Sequence, residues 1–270
     1  MIHILLSRWR QGHRTLPYPK ELPALPERFR GLPRIDTQAC PDGCHACANA
    51  CPTEAIEPGK AGPGIDLGRC LFCAECMEAC PKGAIRFTQD HRLATRDRGH
   101  LVLAPDQELR LAEKLSAELM RLLGRSLKIR VVSAGGCNGC EVDVNVLGTL
   151  AWDLGRFGIQ YVAAPRHADA VLVCGPVTAN MELALRKTYE AVPGPKIVIA
   201  VGACAISGGP YYRQEEQMGG AGSVLPVDLF IPGCPPHPVT ILDGLLRLLG
   251  KLGKQEKGLA KELGITGVIA

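Results

Sequence analysis

Aromatic residues are scarce: Phe, Tyr and Trp together make up 4% of the 270 residues, with only two tryptophans. That scarcity argues against a stacking platform for single-stranded nucleic acid. No apolar run reaches the roughly 18 residues that a membrane-crossing helix requires. Neither sign of charge dominates, since 31 Lys and Arg face 27 Asp and Glu. A net charge of +4 is too slight to imply a nucleic-acid partner. No G-x-G-x-x-G follows a strand, and no glycine loop ends in a lysine as a P-loop does, so the common nucleotide cradles are missing. The apolar start Met1–Leu6 is short and is interrupted by Arg8, Trp9 and Arg10, so no signal-peptide layout is expected. At 46% hydrophobic and 21% charged, the chain is expected to be globular.

Cysteine is abundant instead. Thirteen cysteines in a chain without an export signal read as reduced metal ligands rather than disulfides. Eight lie between Cys40 and Cys80, and five between Cys137 and Cys234. The first block is an internal repeat at an offset of 29 residues, CHACANACPTEAI (44–56) against CAECMEACPKGAI (73–85). Each unit carries C-x2-C-x3-C-P, and the second is complete from Cys70 as C-x2-C-x2-C-x3-C-P, the bacterial run for 4Fe–4S clusters. In such pairs the fourth cysteine of each run ligates the other cluster. Cluster 1 is therefore expected on Cys40, Cys44, Cys47 and Cys80, and cluster 2 on Cys70, Cys73, Cys76 and Cys51. Cys40 is one residue early, because the offset maps Cys70 onto Pro41. Either an enlarged turn at Pro41-Asp42-Gly43 lets it ligate, or cluster 1 is incomplete or takes another ligand. A zinc ribbon, usually built from two C-x2-C knuckles, fits this block poorly.

Helix and strand patterns frame these blocks. Ile2, Leu5, Leu6 and Trp9 share one helical face in a basic arm over residues 1–34, whose net charge is +5. That face suits either a membrane surface or a partner subunit. A helix is expected over Asp106–Leu123 with Asp106 as N-cap and Gly124 as stop. Strands are expected at Leu127–Val132, Ile159–Ala163, Ala170–Cys174, Lys196–Val201 and Val227–Ile231, and helices at Glu141–Leu154 and Asn180–Ala191. This alternation predicts a parallel α/β sheet with ligands beyond the carboxyl ends of its strands. Cys137 and Cys140, Cys204, and Cys234 follow three different strands, so three loops can bring four thiolates to one edge. By spacing alone, the Cys137–Cys140 pair is also compatible with a redox dithiol or half a zinc site. The expected organisation is a basic arm (1–34), an α+β two-cluster ferredoxin domain (35–92), a connector (93–125) and an α/β flavodoxin-like domain (126–270).

The second half carries four motifs in order: GGCNGCE (135–141), PRHADAVLVCGPVT (165–178), VGACAISGG (201–209), and LPVD with IPGCPPHP (225–238). Together these resemble the small electron-transfer subunit of membrane-bound, energy-converting nickel–iron hydrogenases, a relative of the 20-kDa subunit of respiratory complex I. The resemblance implies a proximal 4Fe–4S cluster on Cys137, Cys140, Cys204 and Cys234. It also distinguishes relatives: complex I subunits have adjacent cysteines where this chain has C-x2-C, which favours hydrogenase. The arm, with Tyr18-Pro19 and PERFRG (26–31), and the cysteine repeat resemble the two-cluster ferredoxin subunit of formate hydrogenlyase and complex I, ordinarily a separate chain. The chain thus resembles a natural fusion of two neighbours in one electron route.

That resemblance implies three 4Fe–4S clusters relaying electrons to or from a nickel–iron site on a partner large subunit. The other implied partners are membrane-arm subunits and an electron-donor subunit or ferredoxin. The implied location is peripheral, on the cytoplasmic side of the membrane. Rival readings are a complex I-like or sulfane-reducing oxidoreductase without nickel, and a non-catalytic redox module. Glu141 is a proton-transfer candidate or simply a helix-start carboxylate. Cys174 reads as a buried structural cysteine. His167 and His237 suit a cluster sulfur, a partner interface or plain packing. Arg69 and Arg166 suit either the tuning of a cluster potential or ordinary solvation.

Overall fold

The computed structural model describes residues 2–252 apart from Asp42, Lys60, Ala61 and Asp106. Helix α1 (Ile2–Gln11) buries none of its residues, and Ile2, Leu5, Leu6 and Trp9 on its apolar face are exposed. A strap from Leu16 to Gly31 then touches both halves of the molecule. The Leu16 N–H donates to the Ala151 carbonyl (2.7 Å), and Arg156 Nη2 donates to the carbonyls of Leu16 and Tyr18 (2.8 and 2.9 Å). Further on, Arg30 Nη1 donates to the carbonyls of Phe72 and Cys73 (3.0 and 2.8 Å).

The sequence repeat becomes a structural repeat. In the first unit, α2 (Ala46–Asn49) precedes β2 (Ile56–Glu57); in the second, α3 (Glu75–Glu78) precedes β4 (Ile85–Phe87). Four-residue helices do not persist alone. Here each has a ligand-candidate cysteine on its buried side, Cys47 in α2 and Cys76 in α3. Strand β1 (Pro33–Ile35) pairs antiparallel with β4, while β2, β3 (Gly64–Asp66) and β5 (Val102–Leu103) form an antiparallel sheet.

The connector departs from its pattern. Of residues 107–123, only Ala117–Leu123 (α4) is helical, capped by Ser116, whose Oγ accepts from the Leu119 N–H (3.4 Å). The expected cap, Asp106, lies outside the described residues. Leu109, Ala112 and Leu115 are buried as their stripe predicts, but their backbone is bonded elsewhere. The Ala112 N–H donates to the Ala94 carbonyl (2.7 Å) and the Leu115 N–H to Leu248 (3.0 Å). Tertiary hydrogen bonds have replaced helical ones, because these satisfy the same groups while docking the segment.

The second half is a five-stranded parallel sheet. Its elements are β6 (Leu127–Ser133), α5 (Gly139–Val146), β7 (Ile159–Tyr161), β8 (Ala170–Cys174), α6 (Ala179–Ala191), β9 (Ile197–Val201), α7 (Ala203–Ser207), β10 (Leu229–Ile231) and α8 (Pro238–Leu248). The order β10-β9-β8-β6-β7 is the flavodoxin-like one, with its switch point between β6 and β8. β8, β9 and β10 are buried throughout, as strands covered on both faces must be. Helix α5 stops well before Leu154, the end its pattern suggests. Thr149 turns its hydroxyl onto the Val146 carbonyl (2.7 Å), and the Leu154 N–H finds Leu147 (3.0 Å).

The halves interlock. Thr95 and Phe230 exchange backbone bonds (3.0 and 2.8 Å), so the connector covers the outer edge of β10. Every residue of α8 is buried, including Asp243 and Arg247, which pair at 2.6 Å. The buried Tyr18 hydroxyl donates to Asp243 (2.9 Å) and lies 3.3 Å from His91 Nε2. Beside them Arg92 makes a two-point pair with Asp90 (2.8 and 2.9 Å). No helix among the described residues is long and apolar enough to cross a membrane.

Candidate iron–sulfur centres

Three groups of thiols emerge. Cys51, Cys70, Cys73 and Cys76 line one small cavity with Ile56 and Phe87. This joins the fourth cysteine of the first run to three from the second, the crossed pattern expected from spacing. Cys47 in turn feels the charges of Cys40 and Cys80, and Cys40 and Cys44 line a shared cavity of about 360 Å³. Cys140 feels Cys204, Cys234 and Cys137. Those four lie beyond the carboxyl ends of β6, β9 and β10, the edge the topology selects.

Among the described residues, no three His, Cys, Asp or Glu side chains close on a single ion position. Zinc would need four thiolates drawn to about 2.3 Å from one point. A cubane is bulkier and takes its four corner thiolates from separated loops.

The local backbone suits such a guest as well. Amide N–H groups of Ala55, Phe72 and Ala84 donate to the sulfurs of Cys51, Cys70 and Cys80 (3.2, 3.3 and 3.3 Å). Such bonds favour thiolate over thiol. In the C-terminal centre the walls are glycine. A Cβ on Gly202 would lie 2.5 Å from the Cys140 sulfur, and one on Gly209 would lie 2.8 Å from the Cys204 sulfur. Both have positive φ (+89° and +54°), which glycine alone adopts without cost.

Thiol electrostatics follow from crowding. Burial, and then the neighbouring cysteines, push Cys70 up to about 12 and Cys76 to about 11, with the Phe72 N–H partly offsetting burial at Cys70. Burial and the Cys234 and Cys137 charges push Cys204 to about 12. Cys140 rises further for the same reasons. At Cys80 burial also acts upward, but backbone N–H groups from Lys82 to Ile85 outweigh it, and that thiol is lowered. Like-charged thiolates packed this closely need a cationic core, so metal must displace protons as it binds.

The groups are also mutually close. Helix α2, which carries Cys47, packs on α3, which carries Cys76, and Leu71 and Phe72, between Cys70 and Cys73, line one cavity with Cys234, so the second group adjoins both of the others. Contacts around Cys70 and Cys204 reinforce that junction. Ser207 donates to the Gly68 carbonyl (2.9 Å), Arg213 pairs with Glu54, and Arg69 lies 5.6 Å from the Tyr212 ring centre.

The remaining candidates separate. Cys174 is fully buried at the end of β8, and burial raises its thiol. Glu141 is buried directly after Cys140, and its Oε1 finds no partner among the described residues. His237 accepts from the Val239 N–H through Nδ1 (3.2 Å), capping α8, and packs edge-on against Phe29 and Trp152. Arg166 and His167 are exposed just before β8 begins, at the amino edge of the sheet and away from the cysteine loops. That placement is in keeping with the surface reading of His167 and the solvated reading of Arg166. Arg30, on the Cys73 carbonyl, had no sequence signal beyond its place in PERFRG.

Comparison with known families matches residues 137–248 to the NADH ubiquinone oxidoreductase 20 Kd subunit, and residues 39–84 to the 4Fe-4S dicluster domain. A probable membrane-bound hydrogenase subunit, mbhJ, of Pyrococcus furiosus is 42% identical over 153 residues, 57% of this chain and 92% of that protein. Formate hydrogenlyase subunit 7 of Escherichia coli is 41% identical over 138 residues, 51% of this chain and 54% of that protein. An NADH-quinone oxidoreductase subunit of Bacteroides thetaiotaomicron is 41% identical over 114 residues, 42% of this chain and 58% of that protein.

Proposed function

The chain belongs to the family of the 20-kDa subunit of NADH ubiquinone oxidoreductase, with a 4Fe-4S dicluster domain joined ahead of it, and on that footing we propose that it carries three 4Fe–4S clusters in line to a nickel–iron centre on a partner large subunit. At the coarser level the assignment is direct: it is an iron–sulfur electron-transfer subunit of the oxidoreductase complexes typified by hydrogenase and complex I. The observation that carries the finer reading is the grouping of the thiols. Cys51 shares a cavity with Cys70, Cys73 and Cys76, Cys47 senses Cys40 and Cys80, and Cys140 senses Cys137, Cys204 and Cys234.

In this reading residues 35–92 hold clusters 1 and 2, and residues 126–270 hold the proximal cluster. Bound clusters supply one-electron carriers. The order follows from position, since Leu71 and Phe72 of the cluster 2 loop line one cavity with Cys234. The protein also supplies amide hydrogen bonds to the sulfurs of Cys51, Cys70 and Cys80. Glu141, buried directly after Cys140 and with Oε1 unpartnered among the described residues, is the candidate for proton transfer beside the proximal site. All plausible thiolate ligands but Cys174 are then assigned, so nickel belongs to the partner. The complex would reduce protons or oxidise hydrogen from the cytoplasmic face of the membrane, reached through membrane-arm subunits. A nickel-free, complex I-like oxidoreductase is the second reading, favoured by the 41% identity to a quinone-reductase subunit.

Nickel and iron analysis of the complex purified through this chain decides between them. We expect ~12 irons per chain, at four per cluster, and nickel in the co-purifying large subunit. Iron without nickel would leave the second reading, and clearly less iron would contradict the three clusters. Cys40→Ala is expected to remove or convert cluster 1 alone, seen as loss of one paramagnetic signal. All signals surviving would show that Cys40 does not ligate.

A further inference from the structure

We propose that Arg30 is a positioning residue for cluster 2: its guanidinium grips the loop Phe72–Ala74 from outside, turns the amides of Cys73 and Ala74 onto the cluster, and raises the cluster's reduction potential. The inference rests on the three-cluster reading and adds the residue that tunes one carrier within it.

The first observation is a strained loop. Phe72 and Ala74 carry side chains, yet both have positive φ (+54° and +72°), a conformation that side chains disfavour. Arg30 holds the loop in this shape. Its Nη1 alone donates to the carbonyls of both Phe72 and Cys73 (3.0 and 2.8 Å). Across a planar trans peptide the N–H points opposite to the C=O. The N–H groups of Cys73 and Ala74 are therefore turned away from Arg30. Cys73 and Ala74 line the cavity of Cys51, Cys70 and Cys76, whereas Arg30 lines a separate one beside Cys234.

The second observation is that these two amides have no acceptor. Neither N–H donates to another group among the described residues, although Ala74 is fully buried. A buried amide without a partner is costly, and cluster sulfur would supply the acceptor. One peptide earlier, the Phe72 N–H already donates to the Cys70 sulfur (3.3 Å). A hydrogen bond to a peptide's oxygen polarises that peptide and strengthens its N–H as a donor. Arg30 thus acts through two peptide planes as well as by its charge. Both effects favour the reduced cluster, which carries one more negative charge.

Arg30 is exposed, but its backbone is fixed on both sides. Phe29 before it packs edge-on against His237 at 5.5 Å. The Gly31 N–H after it donates to the Thr88 carbonyl (2.7 Å), and a Cβ on Gly31 would fall 2.1 Å from the Asp90 carbonyl oxygen. No acid among the described residues forms an ion pair with Arg30, so its charge is not spent elsewhere.

The test is a redox titration of the cluster-loaded full chain, followed by paramagnetic resonance. The signal that Cys76→Ala removes is taken as cluster 2. Arg30→Ala is expected to lower its midpoint so that the reduced-to-oxidised ratio at a fixed potential falls at least ~3-fold, or ~28 mV at about 59 mV per tenfold for one electron. The other signals should keep their midpoints. Because one nitrogen makes both bonds, an ammonium can replace it, and Arg30→Lys should recover most of the shift. An unchanged midpoint in Arg30→Ala with its iron retained overturns the inference. So does an equal fall in Arg30→Lys, or a fall shared by all the signals. Should Arg30→Ala lose cluster 2, Arg30→Gln is read in the same way. If the wild type shows no second ferredoxin signal, the three-cluster reading falls, and this inference with it.

Discussion

Gly202→Ala is expected to empty the proximal centre while leaving the two ferredoxin clusters in place. A methyl group there would lie 2.5 Å from the Cys140 sulfur and 3.4 Å from the Gly233 carbonyl oxygen, on a backbone at φ +89°. The sulfur cannot retreat without leaving its place among Cys137, Cys204 and Cys234. Iron content should therefore fall from ~12 to ~8 per chain, and electron delivery to the large subunit should cease. Gly83→Ala is the contrast. It too has positive φ (+61°), but its Cβ would meet nothing within 4 Å. It should cost only the ~1–2 kcal/mol of a left-handed residue and keep all the iron. Equal iron loss in both variants would mean that backbone strain, not contact with the sulfur, governs cluster retention.

Asp243→Asn is expected to destabilise the fold by about 3–5 kcal/mol, the range for breaking a buried ion pair by removing one partner. It strips the Arg247 guanidinium of its carboxylate and leaves one neutral amide oxygen, in place of two charged ones, to accept from both Arg247 and Tyr18. Replacing both Asp243 and Arg247 with leucine should recover much of the loss, since a matched apolar pair carries no desolvation cost. Anaerobic denaturant unfolding measures both.

The pH dependence has a definite sign. Burial acts to raise the Asp243 carboxyl, but the Arg247 and His91 charges and the bonds from Arg247 and Tyr18 outweigh it, and the group is held below the usual carboxylate range. Its contribution is therefore fully present above the unfolded value near 3.9 and is lost only as pH falls through the lower folded value. The gap between wild type and Asp243→Asn should stay constant from pH 8 to about pH 5. A gap that closed within that interval would show the carboxyl is not held down.

The grouping of the cysteines was legible in their spacing. The 29-residue offset that aligns CHACANAC with CAECMEAC also aligns α2 with α3 and β2 with β4. Strand positions were legible for a similar reason, since fully buried strands such as Ala170–Cys174 are unbroken apolar runs. The connector was not. Its leucine stripe fits a helix and equally fits a segment whose amides are claimed by Ala94 and Leu248, and local sequence cannot say which long-range acceptor exists. Helix α8 does carry a period, with Thr240, Asp243 and Arg247 at i, i+3 and i+7 against a leucine face; what local sequence does not show is that this polar stripe is buried as well. Arg30 and the Tyr18–His91–Asp243 contacts join residues 42 to 225 positions apart, beyond the reach of any local pattern.

The strap and the Thr95–Phe230 pairing carry a kinetic meaning. Two electron carriers on separate chains meet at a rate set by their concentrations and are parted whenever the chains dissociate. Here Arg30 on the Cys73 carbonyl, Leu16 on Ala151 and Thr95 on Phe230 place the outgoing and receiving thiol groups in one covalent body. In the three-cluster reading, the handover from Cys73 to Cys234 is unimolecular, with an effective concentration independent of how much protein the cell makes. Dilution, which would halt a two-chain relay, leaves this one running.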